Sequence, residues 1–261
     1  MLKKISALVQ RHPVTWRGAW SLVHHLPFLL PHDASYRGVK HLGLSAGGLV
    51  LDVGANDGIS ALSFRRLLPD NPVLSVEISP RHEPALRRLK ARLKDFDYVL
   101  VGAGEVHHTL RLFTPAYKGI LLHTFAGGDS RTVRHALVVA FGQAVADQCT
   151  LLEDDTVIQP LDELNVDPAF IKIDVEGMAN SVLRGLRKTL ERSNPAMMIE
   201  VEPNEINEML RFLRGFEYQA MAYDTERDAL TIFRSIDEFF ISGNKNLYFV
   251  SNRSIVNNLS F

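Results

Sequence analysis

The chain has 261 residues, with 29 Lys and Arg against 30 Asp and Glu, and 46% of its residues are hydrophobic. This composition is typical of a globular protein and excludes a disordered, collagen-like or coiled-coil chain. The formal net charge of −1 gives no overall attraction for nucleic acid, so we expect no nucleic-acid partner. The one cysteine, Cys149, cannot form a disulfide within the chain, and nothing resembles a secretory signal or the ~20 apolar residues of a membrane span. A cytoplasmic protein is therefore expected.

The sequence predicts an N-terminal extension of helix and loop over residues 1–45, followed by one domain over residues 46–261. The extension is basic and carries both tryptophans, Trp16 and Trp20, one helical turn apart. Such a stripe packs on its own domain, as a lid or at a homodimer contact, or it docks on a membrane surface. We expect packing, and peripheral membrane contact is the alternative.

Strands and amphipathic helices are predicted to alternate from residue 49 onward. The predicted strands, which are apolar throughout, are Leu49–Val53, Val73–Glu77, Tyr98–Val101, Phe170–Asp174 and Met197–Val201. The predicted helices, whose apolar residues recur at every third and fourth position, are Ile59–Leu68, Pro84–Leu93, Ser181–Leu190 and Ile206–Leu213. Wholly apolar strands indicate a mostly parallel sheet covered on both faces. The pattern predicts an α/β fold with a doubly wound sheet and a ligand site at the carboxyl ends of its strands.

The region Thr109–Pro160 interrupts this alternation and is predicted to be an insertion near the active face. Histidines lie in it or beside it, at His107, His108, His123 and His135. Imidazole ligates transition metals and titrates near neutral pH. However, no pair of histidines has the H-x-x-x-H spacing and no carboxylate stands at ligand spacing, so no metal site is predicted. A role for one histidine as a catalytic base stays open.

The segment LVLDVGANDG, at 49–58, runs from a buried strand through a glycine turn into a helix. Gly54 and Gly58 allow the backbone to turn tightly and to approach a ligand, as a nucleotide-type cofactor requires. The spacing is not the dinucleotide G-x-G-x-x-G. Asp52 would repel a pyrophosphate and attract an ammonium or sulfonium group, which disfavours NAD.

Glu77 ends the second predicted strand, about 20 residues beyond the glycine turn. An acidic side chain at this place commonly accepts hydrogen bonds from both ribose hydroxyls. Each feature alone has a structural explanation, as a connecting turn or a helix cap. Their order along the chain favours a cofactor site.

Several motifs together resemble the FkbM family of S-adenosylmethionine-dependent methyltransferases. They are LVLDVGANDG, SVEISP, LDEL at Leu161–Leu164, FIKIDVEGMANSVLRGL at Phe170–Leu186, and PAMMIEV directly before Glu202. The most specific feature is DVGANDG combined with KIDVEG far downstream. The resemblance covers roughly residues 49–250 and leaves out the N-terminal extension.

The resemblance implies a class I methyltransferase fold, which is Rossmann-like, with a seven-stranded sheet whose last strand, Asn246–Ser251, is antiparallel to the others. It also implies methyl transfer to a hydroxyl, here on a small-molecule or saccharide acceptor. The implied cofactor-binding residues are Asp52, Gly54, Ala55, Asn56, Gly58, Glu77, Ile78, Ala103, Glu105 and Asp174. Asp174 and Glu176 would face the transferred methyl group as catalytic residues, although Glu176 could instead cap the next helix.

Two positions depart from the family pattern. Ala179 stands where the family commonly has a second glutamate, and Ile78 replaces a frequent proline. The change at Ala179 argues against a mechanism that needs two carboxylates on that turn, and it leaves open a non-catalytic cofactor-binding module. An NAD-dependent oxidoreductase on the same α/β plan is a further alternative.

Overall fold

The structure is a computed structural model that describes residues 33–241 and 243–251. Most of the predicted N-terminal extension, including Trp16 and Trp20, lies outside the described residues. The described residues divide into two compact units, a larger one over 33–108, 158–241 and 243–251 and a smaller one over 109–157.

The strands are numbered in chain order. They are β1 (Leu49–Val53), β2 (Val73–Glu77), β3 (Phe96–Leu100), β4 (Gly102–Ala103), β5 (His108–Tyr117), β6 (Ile120–Leu121), β7 (Cys149–Gln159), β8 (Pro168–Ile173), β9 (Ala196–Glu200), β10 (Tyr218–Asp224), β11 (Ala229–Ile232) and β12 (Asn246–Ser251). The α-helices are α1 (Ile59–Leu67), α2 (Glu83–Lys90), α3 (Ser130–Phe141), α4 (Gln143–Ala146), α5 (Ala179–Gly185), α6 (Arg187–Ser193), α7 (Ile206–Arg214) and α8 (Ile236–Ile241). Short 3₁₀ helices cover Ala34–Leu42, Pro80–His82, His123–Phe125 and Leu161–Leu164.

The larger unit is built on one sheet. Within the described residues it has eight strands, in the spatial order β3, β2, β1, β8, β9, β12, β10, β11. The strands β3, β2, β1, β8 and β9 pair in parallel, whereas β12 is antiparallel to both of its neighbours, β9 and β10. The predicted α/β fold, the doubly wound sheet and the antiparallel last strand are confirmed.

The sheet has one strand more than the seven that were predicted. β11 adds an antiparallel edge strand beside β10, with Asp224 opposite Ala229. The turn between them is closed by the Asp224 carboxylate, which accepts hydrogen bonds from the backbone N–H groups of Glu226 and Arg227 at 2.9 and 3.0 Å. Such an aspartate turn permits a hairpin in a segment whose own apolar pattern is weak.

Strands β1, β2 and β12 begin and end at the predicted residues, and the other predicted strands differ by one or two residues at each end. The helix predicted over Ser181–Leu190 is instead two helices, α5 and α6. The helical conformation is interrupted at Leu186, where φ is −107° and ψ is 7°. Gly185, just before this break, packs so closely on the Gly104 carbonyl that a Cβ would lie 1.9 Å from its oxygen.

The core lies on both faces of the sheet. Neighbouring residues of one strand point to opposite faces, so Val50 and Phe170 belong to one apolar cluster, and Leu51 and Ile171 to the other. All four side chains are fully buried. This double burial explains why the strands are apolar throughout.

The 3₁₀ helix Ala34–Leu42 packs on the larger unit. The ring of Tyr36 stacks on Phe64 with 5.1 Å between centroids, and the Tyr248 hydroxyl donates a hydrogen bond to the Ser35 carbonyl oxygen at 2.6 Å. The described end of the predicted extension therefore lies against α1 and β12.

The smaller unit has a core of its own. Its apolar cluster contains Tyr117, Leu122, Val133, Leu137, Ala146 and Cys149. Helix α3 begins after Asp129, whose carboxylate accepts a hydrogen bond from the Thr132 backbone N–H at 2.8 Å. The predicted insertion thus contains most of β5, strands β6 and β7, and helices α3 and α4. None of the described helices in either unit is long and apolar enough to cross a membrane.

Candidate active site

The glycine turn after β1 lies directly against the end of β8. Gly54 has a φ of +76°, and a Cβ at this residue would lie 1.8 Å from the backbone carbonyl oxygen of Asp174. The Asp174 backbone N–H donates a hydrogen bond to the Val53 carbonyl oxygen at 3.1 Å. Both the left-handed φ and the close approach require glycine at position 54. The turn and Asp174 therefore share one edge of the sheet.

The turn ends at Gly58, which begins helix α1. Its φ is +89°, and a Cβ here would lie 2.2 Å from the Leu89 side chain. Asn56, between the two glycines, also has a positive φ of 53°. Asparagine adopts this conformation more readily than most residues. The sequence GANDG thus matches the backbone that it forms.

Glu77, at the carboxyl end of β2, holds this turn. Its Oε2 accepts a hydrogen bond from the Asn56 backbone N–H at 2.7 Å, and its Oε1 accepts one from the Ser79 backbone N–H at 2.8 Å. Burial raises the pKa of Glu77, although both hydrogen bonds act to lower it. A carboxylate can accept about four hydrogen bonds, so Glu77 keeps capacity for further donors.

Asp52 lies fully buried beneath the turn. Its Oδ2 accepts hydrogen bonds from the hydroxyls of Ser60 at 2.6 Å and Ser75 at 3.0 Å. Its Oδ1 lies 3.4 Å from the Nζ atom of Lys172, which is opposite Asp52 in the register of β1 and β8. The side chain of Asp52 therefore supports the turn from inside the protein.

Lys172 is a buried cation that the sequence analysis did not single out. Its Nζ donates a hydrogen bond to the Gly54 carbonyl oxygen at 2.8 Å and lies 3.3 Å from Oδ2 of Asp174. Burial acts to lower the pKa of Lys172, but the carboxylates of Asp174 and Asp52 outweigh burial, and the pKa is raised. A lysine within an apolar strand, as the first residue of KIDVEG, was the signal that could have identified it.

Glu200, at the carboxyl end of β9, was also missed. Its side chain is hydrogen-bonded to Asp174 and lies 3.4 Å from Nζ of Lys245. Burial, followed by the hydrogen bond and the charge of Asp174, raises the pKa of Glu200 to about 8. An acid ending an apolar strand, as Glu77 does on β2, was the available signal.

Glu176 follows Asp174 on the turn before α5, with a φ of 32°. The residue is exposed, yet desolvation of its carboxyl group, followed by the charges of Asp174 and Glu202, raises its pKa. Asp174, Glu176 and Glu200 therefore interact electrostatically at one edge of the sheet.

The remaining predicted residues lie on neighbouring segments of the larger unit. Ala55 is buried, Ile78 is half-buried, and Ala103 is half-buried on β4 opposite Gln159. Glu105 is exposed, and its carboxylate accepts a hydrogen bond from Arg184 at 2.5 Å.

Ala179 is buried as the first residue of α5. The carboxylate of Glu205 lies at this helix start, where it accepts a hydrogen bond from the Asn180 backbone N–H at 3.4 Å. An acidic side chain from another segment is thus present beside the position where the family commonly has a glutamate.

Two of the four candidate histidines, His107 and His108, make surface contacts. His107 lies 2.6 Å from Oε1 of Glu163, and Nδ1 of His108 lies 3.1 Å from the Val106 carbonyl oxygen. In the described part of the chain, no group of three or more His, Cys, Asp or Glu residues is arranged to hold a metal ion. A separate cavity of about 270 Å³ is lined by residues of β10, β11 and α8 and by none of the candidate site residues.

The fold and this edge define an α/β protein with a site for a nucleotide-type cofactor. The model of the methyltransferase FkbM domain matches residues 52–220, which is more than half of the chain. The chain therefore belongs to the FkbM family of S-adenosylmethionine-dependent methyltransferases, as the motifs DVGANDG and KIDVEG indicated.

Similar solved structures have low sequence identity. The methyltransferase FkbM from Methylobacillus flagellatus is 18% identical with a TM-score of 0.47, and the match covers 78% of this chain and 43% of that one. The chain thus spans less than half the length of that protein. A precorrin-6y C5,15-methyltransferase from Geobacter metallireducens is 14% identical with a TM-score of 0.41, covering 82% of this chain and 83% of that one. Aeropyrum pernix fibrillarin, solved with bound S-adenosyl-L-methionine, is 13% identical with a TM-score of 0.41, covering 83% of this chain and 76% of that one. No curated protein sequence matches the chain.

Proposed function

We propose that the protein transfers a methyl group from S-adenosylmethionine to a hydroxyl oxygen of a small molecule or saccharide. The observation that carries this proposal is the position of the Asp174 carboxylate. The Asp174 side chain is 34% exposed, and the backbone of the same residue packs against Gly54 of the cofactor turn. A carboxylate at that place can accept the proton of an alcohol beside the cofactor turn. We assign the activity to residues 46–261, with residues 1–45 as an extension.

The residues at this edge fit the chemistry of the cofactor. Gly54 and Gly58 permit the tight left-handed turn, and Glu77 retains acceptor capacity for the ribose hydroxyls. The carboxylates of Asp174 and Glu176 favour a positively charged group. Asn56 and Ala55 would line the turn, while Ile78, Ala103 and Glu105 would lie toward the adenine. Buried Asp52 would act by supporting the turn.

S-adenosylmethionine, when bound, supplies an electrophilic methyl group on a sulfonium. The chain's own residues must hold the acceptor and remove its proton. Asp174 would be the base that accepts the hydroxyl proton, which contributes about 10²–10⁴-fold to such a reaction. Glu176, on the same turn, would orient the acceptor hydroxyl through a hydrogen bond.

Isothermal titration calorimetry with S-adenosylhomocysteine tests the cofactor. Binding in the micromolar range is expected for the purified protein, with no binding of NADH and with loss of binding in Asp52→Ala and in Glu77→Ala. Unchanged affinity in both folded variants would exclude this site. Tight NADH binding would instead support an oxidoreductase.

A separate assay tests the acceptor class. Purified protein is incubated with S-adenosylmethionine and panels of alcohols, saccharides and amines, and formation of S-adenosylhomocysteine is measured. Product formation that depends on a hydroxylated acceptor, and that is lost in Asp174→Asn, is expected. Turnover only with amines would contradict the hydroxyl acceptor. Cofactor binding without turnover on any panel would favour a non-catalytic binding module.

A further inference from the structure

Lys172 joins three segments that the proposed reaction uses. Its ammonium group contacts Asp52 on β1 at 3.4 Å, the Gly54 carbonyl oxygen of the cofactor turn at 2.8 Å, and Asp174 at the end of β8 at 3.3 Å. The Lys172 side chain is 2% exposed and Asp52 is fully buried, whereas Asp174 is 34% exposed. Lys172 therefore places a buried positive charge next to Asp174, which is the one of the two carboxylates that solvent reaches.

Besides Lys172, Asp174 interacts with a second carboxyl group, at the end of the neighbouring strand β9. Glu200 is hydrogen-bonded to Asp174, and a hydrogen bond between two carboxyl groups requires one proton between them. The charged groups that act on Glu200 are Asp174, Lys245 and Glu176. Those that act on Lys172 are Asp174 and Asp52, and Lys172 in turn acts on Glu77.

We propose that Lys172 is a positioning residue for methyl transfer: it keeps Asp174 ionised, so that the proton shared by Asp174 and Glu200 lies on Glu200. A positive charge 3.3 Å from Asp174 stabilises the anionic form of that carboxyl. Lys245 lies 3.4 Å from Glu200 and favours the ionised form of that carboxyl. The pKa of Glu200 is nevertheless raised to about 8, which agrees with the shared proton lying on Glu200.

The catalytic role of the ionised Asp174 carboxylate rests on the proposed function. Asp174 is then ready to accept a proton, and the Glu200 hydroxyl donates a hydrogen bond that fixes one of its oxygens. In the transfer, the acceptor O–H bond breaks and its proton passes to Asp174. The acceptor oxygen forms a bond to the methyl carbon, whose bond to sulfur breaks with the electron pair staying on sulfur.

A purely structural role for Lys172 would be to neutralise buried Asp52. The two roles are separated by comparing Asp52→Asn with the double variant Asp52→Asn/Lys172→Gln, since the pair differs only at Lys172. Asparagine keeps an oxygen that can accept from Ser60 and Ser75. Carboxyl ¹³C NMR of protein labelled at Asp and Glu, without cofactor, follows each titration, with Asp174→Asn and Glu200→Gln assigning the signals.

The expected result is that Asp174 titrates about 1–3 pH units higher in the double variant than in Asp52→Asn. The same pH for Asp174 in both folded variants would overturn the proposal. The wild-type protein gives a second test that does not depend on Asp52→Asn or on the double variant, because Asp174 is expected to titrate below Glu200. The reverse order would also overturn the proposal. Failure of S-adenosylhomocysteine binding in calorimetry would remove the proposed function and leave these titrations unchanged.

Discussion

The backbone carbonyl oxygen of Asp174 occupies the space where a side chain at Gly54 would begin, 1.8 Å from the position of a Cβ. We expect Gly54→Ala to lower the free energy of unfolding by about 3–5 kcal/mol, because the variant combines a left-handed φ with overpacking against backbone. The added methyl group should push the turn after β1 away from the end of β8, and this separation should also abolish binding of S-adenosylhomocysteine. Urea denaturation and calorimetry measure the two effects.

Gly47 provides a matched control for this substitution. Its φ of +79° is close to that of Gly54, but no atom lies within 4 Å of a Cβ built there. Gly47→Ala should therefore cost only the conformational strain, about 1–2 kcal/mol, with binding retained. Equal destabilisation by the two alanines would show that the contact with Asp174 contributes nothing.

Glu77 is expected to contribute to cofactor affinity through its hydrogen bonds to the turn. In Glu77→Gln the amide group replaces one acceptor oxygen, so one of the two backbone N–H groups from Asn56 and Ser79 loses its partner. Hydrogen bonds to charged groups contribute about 1.5–3 kcal/mol, so affinity for S-adenosylhomocysteine should fall about 10–100-fold.

Glu83→Gln makes the same chemical change on α2, where Glu83 pairs with Arg87. Calorimetry of this variant should give the wild-type dissociation constant. Retention of wild-type affinity by Glu77→Gln would remove Glu77 from the site.

The larger sheet was predictable because its signals are local. Apolar strands such as Leu49–Val53 are buried on both faces, and the predicted strands other than Tyr98–Val101 are connected by helices with apolar spacing. The hairpin partner β11 was not predictable in the same way, since its burial is partial and its pairing depends on the Asp224 turn. The break between α5 and α6 lies next to Gly185, which packs on Gly104, a contact distant in sequence.

The candidate site was predictable only in part, for a similar reason. Gly54 and Glu77 stand in a motif that can be read along the chain. The contact of Lys172 with Asp52, and that of Glu200 with Asp174, join different strands, and no spacing in the sequence encodes them. The sequence indicated that the Asp52 carboxylate attracts an ammonium or sulfonium group. The structure shows that Lys172 is a cation that contacts it.

Asp52 should affect stability and binding together. Asp52→Ala leaves Lys172 buried without one of its two carboxylates and removes the acceptor for Ser60 and Ser75, so we expect a loss of about 3–5 kcal/mol in the free energy of unfolding. Asp52→Asn keeps an acceptor for the hydroxyls and should lose less. Urea denaturation of both variants checks this order, and a smaller loss in the alanine variant would contradict it.

Glu200 should make stability depend on pH in a defined direction. Its pKa in the folded protein is about 8, above the ordinary value of 4.5, so the folded state binds more protons than the unfolded state between these values. The free energy of unfolding that Glu200 contributes therefore falls as pH rises from about 4.5 to 8. Glu200→Gln removes this titration, and its stability relative to wild type should rise by about 4 kcal/mol between pH 5 and pH 9. Urea denaturation at pH 5, 7 and 9 measures the difference.

Glu191→Gln, which alters an exposed pair with Arg187, should show a constant difference across the same range. If the difference for Glu200→Gln were also constant, Glu200 would not carry the proton that it shares with Asp174.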